Sequence, residues 1–152
     1  MNNEELKAKV ISIIPKAELK EGGQFLEATV APNKIAELAR GLKESPDTAF
    51  DFLMCLTGMD YGDSLGVIYH LESTTLRHKI VLKTKASSRE NPVIESITSV
   101  FLAAECLERE VYDLFGVTFR NHPDLRRLFL EETWVGHPLR KDYVDEINII
   151  ER

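Results

Sequence analysis

Between residues 49 and 85 the chain passes through three strand-like segments joined by connections too short to hold a helix. "AFDFLMCLTG" (49–58) is almost continuously apolar, and "LGVIYHLE" (65–72) follows the turn "DYGDS". "RHKIVLKTK" (77–85) alternates, with Leu76, His78, Ile80 and Leu82 on one side and Arg77, Lys79 and Lys83 on the other. Alternation with period two marks a half-buried strand, and strands joined by a few residues pair antiparallel. These segments constrain the chain to an antiparallel meander with 49–58 as a central strand. His78, on the apolar side, reads as a core or edge histidine rather than a ligand.

The flanking segments read as helices and shorter strands. Residues 4–14 form an amphipathic helix that Asn3 can cap, with Leu6, Val10 and Ile13/Ile14 as its stripe and Pro15 as its end. "FLEATV" (25–30) is a strand, and "APNKIAELARGL" is a helix with Asn33 as N-cap and Ile35, Leu38, Ala39 and Leu42 on one face. "NPVIESITSVF" carries a turn and one helical turn. "AAECLEREVYDLFG" (103–116) is a helix closed by Gly116, with Leu107, Val111 and Leu114 as its stripe, and "VTF" is a last short strand. Glu105, Arg109 and Asp113, each four apart, read as a solvated ion-pair ladder. The expected fold is α+β: an antiparallel sheet of four to five strands with helices packed on it, over residues 1–119. An extended Arg-rich arm of the same domain follows, over residues 120–152.

Composition narrows the function. The chain has 152 residues, enough for one core, and a net charge of −6, which disfavours general nucleic-acid binding. The start lacks a secretory pattern, and no apolar run approaches the roughly 20 residues that span a bilayer, so membrane association is expected only through partners. Cys55 and Cys106 read as buried, reduced thiols rather than a disulfide framework. Two cysteines cannot hold an iron–sulfur cluster, and no phosphate-binding glycine motif is present.

From Arg120 onward neither period is sustained, and two His-Pro stretches appear, "HPDLRRLF" (122–129) and "GHPLRKDY" (136–143). Proline holds the residue before it extended, so both stretches make stiff, irregular backbone. Five of the nine Arg, but only one Lys, lie between residues 108 and 143. Arg is favoured where a planar fork meets carboxylates or carbonyls away from water. Glu108, Glu110, Asp113, Asp124 and Asp142 are candidate partners, and Trp134 is the one Trp. This implies an Arg–carboxylate network pinning the arm to the helix, to a partner chain, or to both. A stand-alone metal-dependent enzyme using His122, Asp124 and His137 is the alternative from a different class, although the trio lacks ligand spacing.

"EREVYDLFG" (108–116), "HPDLRRLF" and "GHPLRKDY", in this order, closely resemble the signature of one family, the thirty-kilodalton subunit of respiratory complex I. "GMDYGDSLGVIYHL" and "RENPVIESITSVF" are also similar to the family. Cys106, Asn121 and Val144 depart from its usual Trp, Gly and Pro. The resemblance implies a cofactor-less structural subunit of the peripheral arm of an NADH–quinone oxidoreductase-type complex, on the cytoplasmic side of the cell membrane. Such a protein docks the large quinone-site subunit, beside small iron–sulfur subunits that carry the clusters. The alternative is the equivalent subunit of a membrane-bound energy-converting nickel–iron hydrogenase or a deazaflavin-dependent dehydrogenase. The docking and structural positions implied are Glu108, Arg109, Glu110, Asp113, His122, Pro123, Asp124, Arg126, Arg127, His137, Pro138, Arg140, Lys141, Asp142 and Tyr143. Trp134 joins them as an aromatic anchor.

Overall fold

The computed structural model describes residues 2–21 and 23–145. The element order is α1 (Asn3–Ile13), β1 (Glu18–Glu21), β2 (Leu26–Val30), α2 (Ile35–Glu44), β3 (Phe52–Asp60), β4 (Leu65–Glu72), β5 (Lys79–Lys85), β6 (Val93–Glu95), α3 (Ala104–Phe115) and β7 (Thr118–Arg120). Five strands form one sheet in the order β1-β2-β5-β4-β3, and β6 pairs with β7 in a small second sheet. The fold is α+β, as expected, with three helices contributing to a single core.

Local sequence chemistry sets the helix ends. Asn2, not Asn3, caps α1: its side chain accepts from the Glu5 N–H at 2.8 Å, and Glu5 reaches back to the Asn2 N–H at 3.0 Å. The reciprocal bond needs an acid three residues after the cap, which Asn2 has and Asn3, followed by Leu6, lacks. Leu6 and Val10 are buried as the stripe requires. At α2 the cap position falls to Lys34, without a side-chain bond, so Asn33 is not the cap. Ile35, Leu38, Ala39 and Leu42 all face the core.

The meander β3-β4-β5 is antiparallel, but β2 pairs with β5 in parallel, so the sheet is mixed. The centre of the sheet is β5, and β3 is an edge rather than a central strand. Its apolar run is split between two faces. Leu53 and Leu56 point into the core, whereas Phe52, Met54 and Met59 lie exposed on the uncovered side. A register shift between Leu53 and Cys55 breaks the alternation and turns Met54 and Cys55 outward together, so Cys55 is exposed, contrary to expectation. Cys106 is exposed as well, on the outer side of α3. The uncovered face of the sheet is held by cross-strand charge pairs, Lys83 with Glu27 at 2.7 Å and Lys79 with Glu72 at 3.8 Å.

Two short strands had no sequence signature. β1 offers four mostly exposed residues, and β6 has only three. β6 nevertheless runs parallel to β7 and ties the segment before α3 to the segment after it. His78 lies against the Phe50 ring at 4.7 Å between centroids and donates from Nε2 to the Thr48 carbonyl at 2.6 Å.

Helix α3 crosses β3 closely because Gly58 has no side chain. A Cβ there would lie 2.5 Å from the Phe115 ring, closer than any carbon contact tolerates. Gly58→Val is expected to lower stability by about 1–3 kcal/mol through overpacking, seen as a lower urea midpoint.

Candidate functional site

The arm follows β7 and runs to residue 145 without helix or strand. Its backbone polar groups need partners, and they find them on side chains of α3 and of the β3 end. Three attachments result, and the Arg109 guanidinium of α3 adds a fourth.

The largest centres on Asp113, whose residue is fully buried on α3. Its Oδ2 accepts from three successive arm amides, Leu128 at 3.0 Å, Phe129 at 2.7 Å and Leu130 at 3.0 Å. Its Oδ1 takes an Arg127 Nη1 bond at 2.8 Å. Arg127 in turn donates from Nη2 to the carbonyls of Trp134 and Gly136, each at 3.0 Å, so one guanidinium fastens two turns of arm. Burial opposes ionisation of Asp113, but the amides and the Arg127 charge outweigh it and hold the carboxyl below its usual range. His137 donates from Nδ1 to the Asp113 carbonyl at 2.9 Å, and Leu139 N–H bonds the Leu114 carbonyl. Gly116 makes this approach possible. Its φ of +74° ends α3 in the left-handed region, and a Cβ there would stand 2.5 Å from the His137 ring.

The second attachment uses residues far upstream of the arm, Asp60 and Arg89. Asp60, buried at the end of β3, takes both forks of Arg89 at 2.7 and 2.9 Å, the Gly62 amide and the arm amide of Lys141, the last two each at 2.8 Å. The Arg89 bonds, with the two amides, hold the Asp60 carboxyl far below its ordinary value against the effect of burial. Arg89 also pairs with Asp142 at 3.1 Å, and Arg140 Nη2 donates to the Arg89 carbonyl at 2.8 Å. The turn "DYGDS" was the available signal, since an Asp two residues before Gly bonds that glycine's amide. Nothing local, however, announces a contact 81 residues away.

The third attachment is His122. Its Nδ1 accepts from the Asp124 amide at 3.0 Å, so the proton sits on Nε2, which donates to the Glu105 carbonyl at 3.0 Å. The Asp124 carboxylate is turned to Arg126 at 2.9 Å, an exposed pair of little energetic weight. With both His122 nitrogens engaged and His137 tied to α3, the trio His122, Asp124 and His137 does not converge. No group of three metal-ligating side chains occurs among the described residues.

The expected ladder on α3 is also revised. Arg109 is buried and does not pair with Glu105 or Asp113; it donates to the carbonyls of Arg126 at 3.2 Å and Arg127 at 3.0 Å. The arm lies over this face of the helix, which is why it is not solvated. Glu110 forms no hydrogen bond or ion pair among the described residues, Pro123 is exposed, and Pro138 and Trp134 are half-buried. Tyr143 packs its ring near Gly136 and donates to Asp145 at 3.0 Å. Residues 146–152 of the expected arm lie outside the described residues.

Glu108 faces away from the arm into the core, where it accepts from Ser96 Oγ at 2.6 Å and the Ile97 amide at 2.8 Å. Burial raises its pKa from 4.5 to about 7, with the two hydrogen bonds pulling the other way. The folded carboxyl therefore keeps its proton where the unfolded one has lost it. The associated stability is complete below pH 4.5 and is lost as pH rises through about 7. Glu108→Gln is expected to flatten the decline between about pH 5 and pH 8, worth roughly 3 kcal/mol, in urea titrations at each pH. Asp113 has the opposite sign, stabilising above the unfolded carboxylate pKa and failing in acid. Asp113→Asn is expected to cost about 3–5 kcal/mol, because it strands the Arg127 charge, and to red-shift Trp134 emission as the arm detaches.

Known proteins share this chain's sequence and shape. Residues 28–147 match the family model described as "Respiratory-chain NADH dehydrogenase, 30 Kd subunit". The chain is 39% identical over 147 residues to the C subunit of NADH-quinone oxidoreductase from Roseiflexus castenholzii, with 93% of this chain and 84% of that protein covered. It is 54% identical over 99 residues to the C/D subunit of NADH-quinone oxidoreductase from Phocaeicola vulgatus, with 64% of this chain but only 19% of that protein covered. The chain thus spans about a fifth of the C/D relatives. A chain in the structure of the membrane-bound sulfane sulfur reductase, an archaeal respiratory membrane complex, superposes with a TM-score of 0.73 at 27% identity, with 95% of this chain and 86% of that one covered. No helix among the described residues is long and apolar enough to cross a membrane. With four-fifths of its length matched by the family model and nearly all of it by the Roseiflexus protein, the chain belongs to the respiratory-chain NADH dehydrogenase 30 kDa subunit family.

Proposed function

We propose that this chain is a cofactor-free docking subunit of an NADH–quinone oxidoreductase-type membrane complex. It sits peripherally on the cytoplasmic side and holds the large quinone-site subunit in place. The observation that carries this reading is the arm itself. It is fastened on its inner side by a buried ion pair and by two buried carboxylates that take its amides, yet outward it presents Phe129, Val135, Leu139 and Val144 at 66%, 87%, 53% and 79% exposure. Fixing an irregular segment costs conformational entropy, and leaving four large apolar side chains in water adds to that. A permanent partner covering them offsets both. The C/D relatives support the reading. In them the matched stretch is part of one much longer chain, as suits a module that never parts from its neighbour.

In this role the chain positions rather than reacts. Iron–sulfur clusters and quinone belong to the partner subunits, and the isolated chain is expected to have no oxidoreductase activity. Mild detergent extraction with this chain tagged, followed by mass spectrometry, is expected to recover a large quinone-site subunit with small iron–sulfur subunits. Recovery of a nickel-site subunit in its place would assign the chain to a hydrogenase-type complex. Recovery of the chain alone would refute docking. The double substitution Phe129→Ser, Val135→Ser is expected to cut partner recovery at least about tenfold while the free chain's melting midpoint moves by no more than about 2 °C, because neither side chain supports the core.

A further inference from the structure

Arg109 is the one buried cation among the described residues, at 8% exposure. The two anions buried beside the arm, Asp60 and Asp113, each have an arginine in contact. Glu108, with no cation in contact among the described residues, is shifted by burial toward its protonated form. Arg109 has no such recourse, because a guanidinium does not deprotonate in proteins. Its described partners are two carbonyl oxygens, those of Arg126 and Arg127, bonded through Nε and Nη2. No carboxylate lies within ion-pair distance of it among the described residues. Its Nη1 makes no hydrogen bond among the described residues and keeps some exposure to solvent. Carbonyl dipoles solvate part of a buried charge, and a desolvated cation without an anion is otherwise unfavourable.

Resting on the docking role proposed above, we infer that Arg109 receives a carboxylate from the large partner subunit. The recognised element is an Asp or Glu side chain flanked by apolar residues. The acid meets Nη1, and its neighbours cover Phe129, two residues beyond the carbonyl that Arg109 holds. Charge complementarity selects this occupant: the chain carries −6 overall, yet here Arg109 offers a fixed positive charge at a nearly dry site, while the neighbouring Arg126 is already paired with Asp124. Arg109 then has two tasks on one plane, holding the arm from within and reading the partner from without.

The structure of the assembled wild-type complex, purified through a tag on this chain, tests the inference. The expected result is a carboxylate oxygen of another subunit within about 4 Å of the Arg109 guanidinium. Solvent, an apolar cover, or a carboxylate from this chain's own residues 146–152 in that place would overturn it. In parallel, R109Q is expected to weaken binding of the partner assembly at least about 30-fold and to reduce its salt dependence. Trp134 emission of the free chain reports whether the arm stays attached. Attached arm with binding changed less than threefold would overturn the inference. A chain that joins no complex overturns the docking role and this inference together, whereas a complex that forms with no carboxylate at Arg109 overturns the inference alone.

Discussion

One carboxylate oxygen, Oδ2 of Asp113, accepts three consecutive backbone amides of a segment with no secondary structure of its own. Irregular backbone cannot be laid over a protein unless its polar groups are satisfied, and each buried amide left bare costs on the order of 1–3 kcal/mol. A helix or strand solves this internally. Here a side chain from α3 solves it for the arm, and the Arg127 fork repeats the solution with carbonyls. The left-handed end of α3, the bare Gly116 beneath His137 and the proline-stiffened turns all gain meaning from that attachment.

The buried acids of α3 divide into two systems. Toward the arm, Asp113 is ionised and stabilised by amides and a guanidinium. Toward the core, Glu108 has no cation in contact and acts on the fully buried Tyr69, whose hydroxyl has no partner among the described residues. Burial raises the Tyr69 pKa, and the Glu108 charge adds to the effect. The same helix thus carries one acid that must stay charged to hold the arm and another that favours keeping its proton. Their opposite responses to pH follow from which of burial and hydrogen bonding is larger at each site.

Much of this was legible in the chain. The meander, the core face of α2, and α3 with its terminal glycine all rest on period or turn chemistry, and the structure agrees at those positions. What periodicity could not carry was context. β1 is too polar and β6 too short to show a pattern, and β3 reads as central because its two faces are both apolar, one over the core and one over open surface. The cysteine at 55 is exposed because a bulge shifts phase within a single strand. Arg109 and Asp113 look like members of a solvated ladder because helix spacing cannot reveal that a distant segment lies across them. The concentration of Arg after residue 108 did point to the network, but Asp60 and Arg89, its other anchors, lie too far upstream for local reading.

The bond from Lys141 to Asp60 spans 81 residues, and the two carboxylates that take arm amides, Asp60 and Asp113, both precede the arm in sequence. Asp60 and Arg89 are only 29 residues apart, and the shorter loop between them closes at lower entropic cost than the 81-residue one to Lys141. Connectivity therefore favours an order in which the acceptors assemble before the arm docks, so that the arm's outward apolar face forms last.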